Sequence, residues 1–151
     1  MKSVIKKSMS IVALAATILS FTIAGGEGFE IFVNNKAVIQ QFGNSLNEVK
    51  SLKLDNHLAN AQLTVKYYHC GKPGTNRTIA IRDGQDKLLK EWHFGDAATT
   101  SPSMNFNVKE ILSLTKVNES ELMLYYASGE LPNGRLLTTI VVENNSVARN
   151  R

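Results

Sequence analysis

From Phe29 onward the chain is a succession of short β-rich runs, each closed by residues that turn the backbone. Phe29-Glu30-Ile31-Phe32-Val33 is followed by Asn34-Asn35, and asparagine tolerates the positive φ that a two-residue hairpin turn demands. Ala37 to Phe42 then returns, which predicts a hairpin. Ala61 to Cys70 is the clearest strand, with Leu63, Val65, Tyr67 and His69 on one face and Thr64, Lys66, Tyr68 and Cys70 on the other. Gly71-Lys72-Pro73-Gly74 interrupts it, and Arg77 to Asp83 follows with Ile79 and Ile81 in phase. Matching the inward faces of these two runs as neighbours would set Tyr67 across from Ile81 and His69 across from Ile79.

The rest of the chain has the same grammar. Asp83-Gly84 is a hairpin signal, after which Leu88, Trp92 and Phe94 share a face. Lys90 lies on that face too, which requires an edge where its amine can reach water. Glu121 to Ala127 reads as a strand, Leu131-Pro132-Asn133-Gly134 as a turn, and Arg135 to Glu143 as the last strand. That strand is apolar on both faces, with Leu137 and Val141 on one and Leu136, Ile140 and Val142 on the other. The helix from Val108 is expected to cover its second face, or else a partner does. Ser45 to Leu54 fits either a capping box, Ser45-x-x-Glu48, or a strand in its second half, and the strand is preferred.

One helix is predicted, from Val108 to about Lys116. Asn107 and Glu110 form a capping-box pattern, Phe106 and Ile111 the matching apolar staple, and Val108, Ile111, Leu112 and Thr115 recur at helical spacing. Nearly all strands with one late helix, and no alternation of strand and helix, point to an antiparallel β-sandwich, Ig-like or jelly-roll-like. A partly closed β-barrel is the alternative.

The first two dozen residues have a different composition. Lys2, Lys6 and Lys7 precede the apolar run Ile11 to Ile23, and Thr22-Ile23-Ala24-Gly25 offers small residues for cleavage. This is the layout of a secretory signal peptide. The run spans roughly 20 Å as a helix, short of the ~30 Å hydrocarbon core of a bilayer. Residues 1–24 are therefore expected to be a cleaved signal and 25–151 a single exported domain, periplasmic or extracellular, with a frayed tail at its C-terminus. No further segment is apolar enough to span a membrane once the signal is removed.

The charge balance follows from that division. Three of the 17 basic residues fall in the signal, which leaves 14 against 13 acidic ones. A nearly neutral domain without a concentrated basic face is not a nucleic-acid binder. About 127 residues can bury one core. With Cys70 as the single cysteine, no internal disulfide can staple it. Cys70 reads as a buried inert thiol, with an exposed thiol that dimerises the protein or is reversibly capped as the alternative.

Signals of chemistry are few. His57, His69, Cys70 and His93 are residue types that bind metals, but adjacent strand residues face opposite ways and the spacings match no metal motif, so no metal and no cofactor is expected. Asp83, Asp86, Glu91 and Asp96 are close in sequence, as a carboxylate pair for glycoside cleavage would need, yet they also suit turns and a solvated strand face. Gly71-Lys72-Pro73-Gly74-Thr75 leads into a strand and not into the helix a phosphate loop requires. No catalytic residue is assigned.

Tyr68 and Tyr125 lie on the faces opposite the expected core, where aromatics stack on sugars or anchor a partner. They are the candidate binding residues. The resulting expectation is a non-catalytic binding or envelope-associated interaction module, with an unknown protein or glycan partner in the envelope and self-association possible. The alternative is a small secreted hydrolase with dispersed residues. The exported protein should begin at or near Gly25; N-terminal sequencing checks this, and retention of Met1 to Ala24 would make it an anchored protein instead.

Overall fold

The computed structural model describes residues 26–100, 102–115 and 121–143, so the expected signal peptide and the tail after Glu143 lie outside the described residues. The strands are β1 (Glu27–Val33), β2 (Lys36–Phe42), β3 (Lys50–Asp55), β4 (Gln62–His69), β5 (Arg77–Arg82), β6 (Leu88–Gly95), β7 (Ser103–Asn107), β8 (Glu121–Ala127) and β9 (Arg135–Glu143), with one helix, α1 (Val108–Leu112). They form a four-stranded sheet in the order β2-β1-β4-β7 and a five-stranded sheet in the order β3-β9-β8-β5-β6. The two sheets are separate and pack face to face, which makes the fold a sandwich and not a barrel. Neighbours are antiparallel except β3 and β9, which run parallel.

Local turn chemistry builds the hairpins. Asn34 and Asn35 adopt φ of 48° and 65° between β1 and β2. These are the two left-handed positions of a tight hairpin, where glycine or asparagine is favoured. Asp83 accepts the backbone N–H groups of Gln85 and Lys87, each at 2.9 Å, and so ties the β5–β6 turn. The left-handed residue in that turn is Asp86 and not Gly84. Gly134, at φ 70°, closes the β8–β9 turn through a bond from its N–H to the Leu131 carbonyl at 3.0 Å.

Strand partnership departs from expectation at β4. It does not pair with β5. Tyr67 lies opposite Phe29 and His69 opposite Glu27, while Ile79 and Ile81 pair with Tyr126 and Leu124 of β8. The Gly71–Gly74 link carries the chain from one sheet to the other. Alternation requires these inward faces to be buried, and facing one another across the core satisfies that as well as lying side by side. Between β2 and β3 the capping box at Ser45 does not form: the Ser45 hydroxyl bonds the Phe42 N–H at 2.8 Å and closes a 3-10 turn, Gly43–Asn47.

The last strand also differs. The β8–β9 register shifts between Leu124 and Tyr125, and this bulge places Leu137 and Thr138 both inside. Thr138, Ile140 and Val142 face the core, whereas Leu136 and Val141 lie half-buried on the outer face with Met123 and Tyr125.

Helix α1 is shorter than the sequence predicts, and Lys116 lies outside the described residues. Asn107 makes no side-chain cap; the Val108 N–H bonds the Ala61 carbonyl at 3.1 Å instead. The helix packs against β7, β3 and the 3-10 turn Asn56–Leu58, so it plugs one end of the sandwich and does not cover β8 and β9. Trp92 stacks on Phe106 at 4.7 Å and donates to Glu110 at 3.2 Å, closing the β6–β7 side. Lys90 sits at that edge with its ammonium 3.6 Å from Glu110, in reach of water as its position requires.

Val108 and Ile111 are fully buried in the core. Replacing Ile111 by Ala should cost about 2–5 kcal/mol in urea unfolding. A loss below about 0.5 kcal/mol would mean the helix does not plug the core.

Candidate functional site

The two candidate tyrosines are not brought together. Tyr68 lies on the outer face of the four-stranded sheet and Tyr125 on the outer face of the five-stranded one. Gly28 sits between Phe42 and Tyr68 in register, and a side chain there would overlap the Phe42 ring. With glycine in place, Phe42 leans over β1 to meet Tyr68 at 5.8 Å between ring centres, and the Tyr68 hydroxyl donates to Glu30. Tyr68 is thus engaged in cross-strand packing.

Tyr125 has a different setting. Strand alternation directs Leu122, Leu124 and Tyr126 inward and Tyr125 outward. Across the sheet, Tyr125 neighbours Ala80, and Ala80 neighbours Glu91. In the next row Ala127 neighbours Thr78. Small residues between larger ones leave a trough of about 390 Å³, bounded by Tyr125 and Arg82, by Asp86 and Glu91, and by Asn133 of the β8–β9 turn. The Arg82 guanidinium lies 5.2 Å from the Tyr125 ring centre and pairs with Asp86 at 3.1 Å. Asp86 is four residues beyond Arg82 and takes its left-handed φ from the hairpin turn, so local geometry aims the carboxylate back at the guanidinium.

The four clustered carboxylates are dispersed. Asp83 is buried in its turn, and Asp96 accepts the Asn76 N–H at 2.8 Å. Asp86 and Glu91 alone among them line the trough; Glu91 meets His93 Nε2 at 2.9 Å.

A second polar cluster occupies the end of the sandwich opposite α1, where β4 finishes. His69 Nε2 lies 2.8 Å from the Tyr126 hydroxyl and 3.2 Å from Ser128 Oγ, linking the two sheets. Beside it Tyr67 donates to Glu27 at 2.6 Å, and Arg135 reaches the same carboxylate at 3.3 Å. Glu130 accepts the Thr75 N–H and hydroxyl, each at 2.9 Å. Burial pushes His69 below the ordinary imidazole value and raises the phenols of Tyr67 and Tyr126. The Thr75 backbone bond leads the contacts that pull Glu130 down to about 2.

The Ser128–His69 pair has the residue types of a nucleophile and its base. Ser128 is only 5% exposed, however, and its Oγ accepts the Leu131 N–H at 3.2 Å to hold a turn. Cys70 is exposed, contrary to the buried thiol expected: β4 ends at His69, and Cys70 takes φ 49° in the turn that leaves the sheet. His57 lies on the 3-10 turn by α1 and His93 on the outer face of β6. Among the described residues no three His, Cys, Asp or Glu are grouped to hold a metal ion, and no helix is long and apolar enough to cross a membrane.

Compared with known proteins, the chain matches no family model and no curated protein.

The sandwich-end cluster has a pH signature. The His69 pKa in the folded protein lies below the ordinary imidazole value of 6.5, so the unfolded chain binds that proton more readily. Stability from this site is full above pH 6.5 and is lost as pH falls from there through the folded value. Urea unfolding at pH 8 and pH 5 should show a lower midpoint at pH 5, with the difference reduced in His69→Gln. An equal difference in wild type and variant would place the titration elsewhere.

Proposed function

We propose that this chain is an exported, non-catalytic binding module whose ligand lies in the Tyr125 trough. The observation that carries this reading is the trough itself. It gathers an aromatic ring, a guanidinium, two carboxylates and a turn amide on a sheet face that α1 leaves open. Concave surface with a few convergent polar groups is the usual form of a ligand site. Holding Arg82 between Asp86 and the Tyr125 ring positions the polar arm before a ligand arrives, which lowers the ordering cost of binding. Export is supported by the arrangement of residues 1–24.

The hydrolase reading has one observation in its favour, the 3.2 Å contact between Ser128 and His69. Against it stand the burial of Ser128 and its bond to Leu131: a nucleophile must be reachable by a reacting carbon, and this one is occupied. The carboxylates of the trough are likewise bound, to Arg82 and His93.

Retention of the purified protein on its own envelope fraction tests the proposal. Tyr125→Ser should weaken retention about tenfold, near the upper worth of one aromatic contact. Unchanged retention and self-association, with a stability loss of several kcal/mol, would mean that Tyr125 is a packing residue. Ester or glycoside hydrolysis abolished by His69→Gln would establish the enzyme instead.

A further inference from the structure

Resting on the trough as the ligand surface, we infer that its ligand is a neutral, hydroxyl-rich saccharide and that polyanionic glycans are excluded. Size comes first. A volume of about 390 Å³ lies near the lower end for small-ligand sites. It holds a few rings of a chain, whereas a stable protein interface needs about 800 Å² on each partner. The small floor of Ala80 and Thr78 lies between β8 and β6. Strands on either side of a central one are about 10 Å apart, and this sets the width of the channel that the flanking side chains leave.

Donor and acceptor chemistry comes next. Thr78 offers a hydroxyl, Asn133 an amide, Asp86 and Glu91 acceptors and Arg82 donors. Sugar hydroxyls both donate and accept, so one ligand type can satisfy all of these groups. An apolar ligand would take these groups out of water and return no hydrogen bond in exchange, which costs free energy. Tyr125 supplies the flat apolar surface that the C–H face of a pyranose needs.

Charge then separates classes of glycan. The trough carries two carboxylates against one guanidinium, and that guanidinium already pairs with Asp86. Glu91 stands on the opposite wall, across Ala80 from Tyr125. A uronate or sulfate beside Tyr125 would meet this carboxylate, while the one guanidinium lining the trough is already shared with Asp86.

Titration calorimetry of the full exported chain tests this with neutral hexasaccharides of glucose, mannose and N-acetylglucosamine, each monosaccharide, and a galacturonate hexamer. At least one neutral hexamer should bind, its monosaccharide more weakly. The galacturonate hexamer should bind at least about tenfold more weakly than the neutral one. Asn133→Ala, on the surface turn, should weaken the neutral ligand several-fold without changing the melting temperature, and Glu91→Gln should narrow the neutral-to-anionic ratio. Galacturonate binding equal to or tighter than neutral binding would overturn the inference. Tyr125-dependent retention on the envelope, with no neutral saccharide bound at millimolar concentration, would overturn it too while leaving the binding-module reading standing. Loss of both would remove both.

Discussion

Two stacked tyrosines join the sheets where nothing covalent can. Tyr67 of β4 and Tyr126 of β8 lie 4.2 Å apart at an interplanar angle of 11°. Phe29 continues the stack on Tyr67, and Leu63, Val65, Ile79, Ile81, Leu122 and Leu124 extend the same two inward faces along the sandwich. The single cysteine stands exposed at a turn, so burial of these faces must carry the stability. Both tyrosines end in polar groups, and the sandwich end is arranged around that fact: Glu27 accepts from Tyr67, and His69 meets Tyr126. An inward hydroxyl left alone would cost more than its bond returns. The residues that look most like catalytic apparatus thus follow from the core's need to satisfy two buried phenols.

The two outer faces diverge for a similar reason of side-chain size. On the four-stranded sheet, Gly28 opens space that the Phe42 ring takes up as it leans over to Tyr68, although a cavity of about 330 Å³ lies elsewhere on that sheet between Phe32, Lys66 and Asn105. On the five-stranded sheet, Ala80 lies between Tyr125 and Glu91, is only 7% exposed itself, and forms part of the floor of an open trough. The first gap is a packing device and the second is a trough. Placing α1 at the end of the sandwich, against β7 and β3, leaves that trough uncovered.

Turns were the most legible part of the fold, because Asn34-Asn35, Asp83-Gly84 and Pro132-Asn133-Gly134 act through local φ and local hydrogen bonds. Which residues face inward was legible too, from alternation along β4 and β8. Neighbours were not. Alternation assigns a face and no partner, so β4 and β5 read as a hairpin although they lie in different sheets, and the parallel pairing of β3 with β9 has no local signal. A one-residue bulge was enough to reverse the reading of Leu136 and Leu137. Of the candidate site, Tyr125 was visible as an outward aromatic. Its trough was not, because Ala80, Glu91 and Asn133 become its neighbours only through the order β9-β8-β5-β6.

Backbone amide shifts offer the most direct measurement of whether this trough is the binding surface. A titration with soluble material released from the protein's own envelope should perturb the amides of Thr78, Ala80, Tyr125 and Asn133 as one cluster and leave Tyr68 and Phe42 unmoved. Perturbation centred on Tyr68 and Phe42, or on His69 and Ser128, would contradict the account.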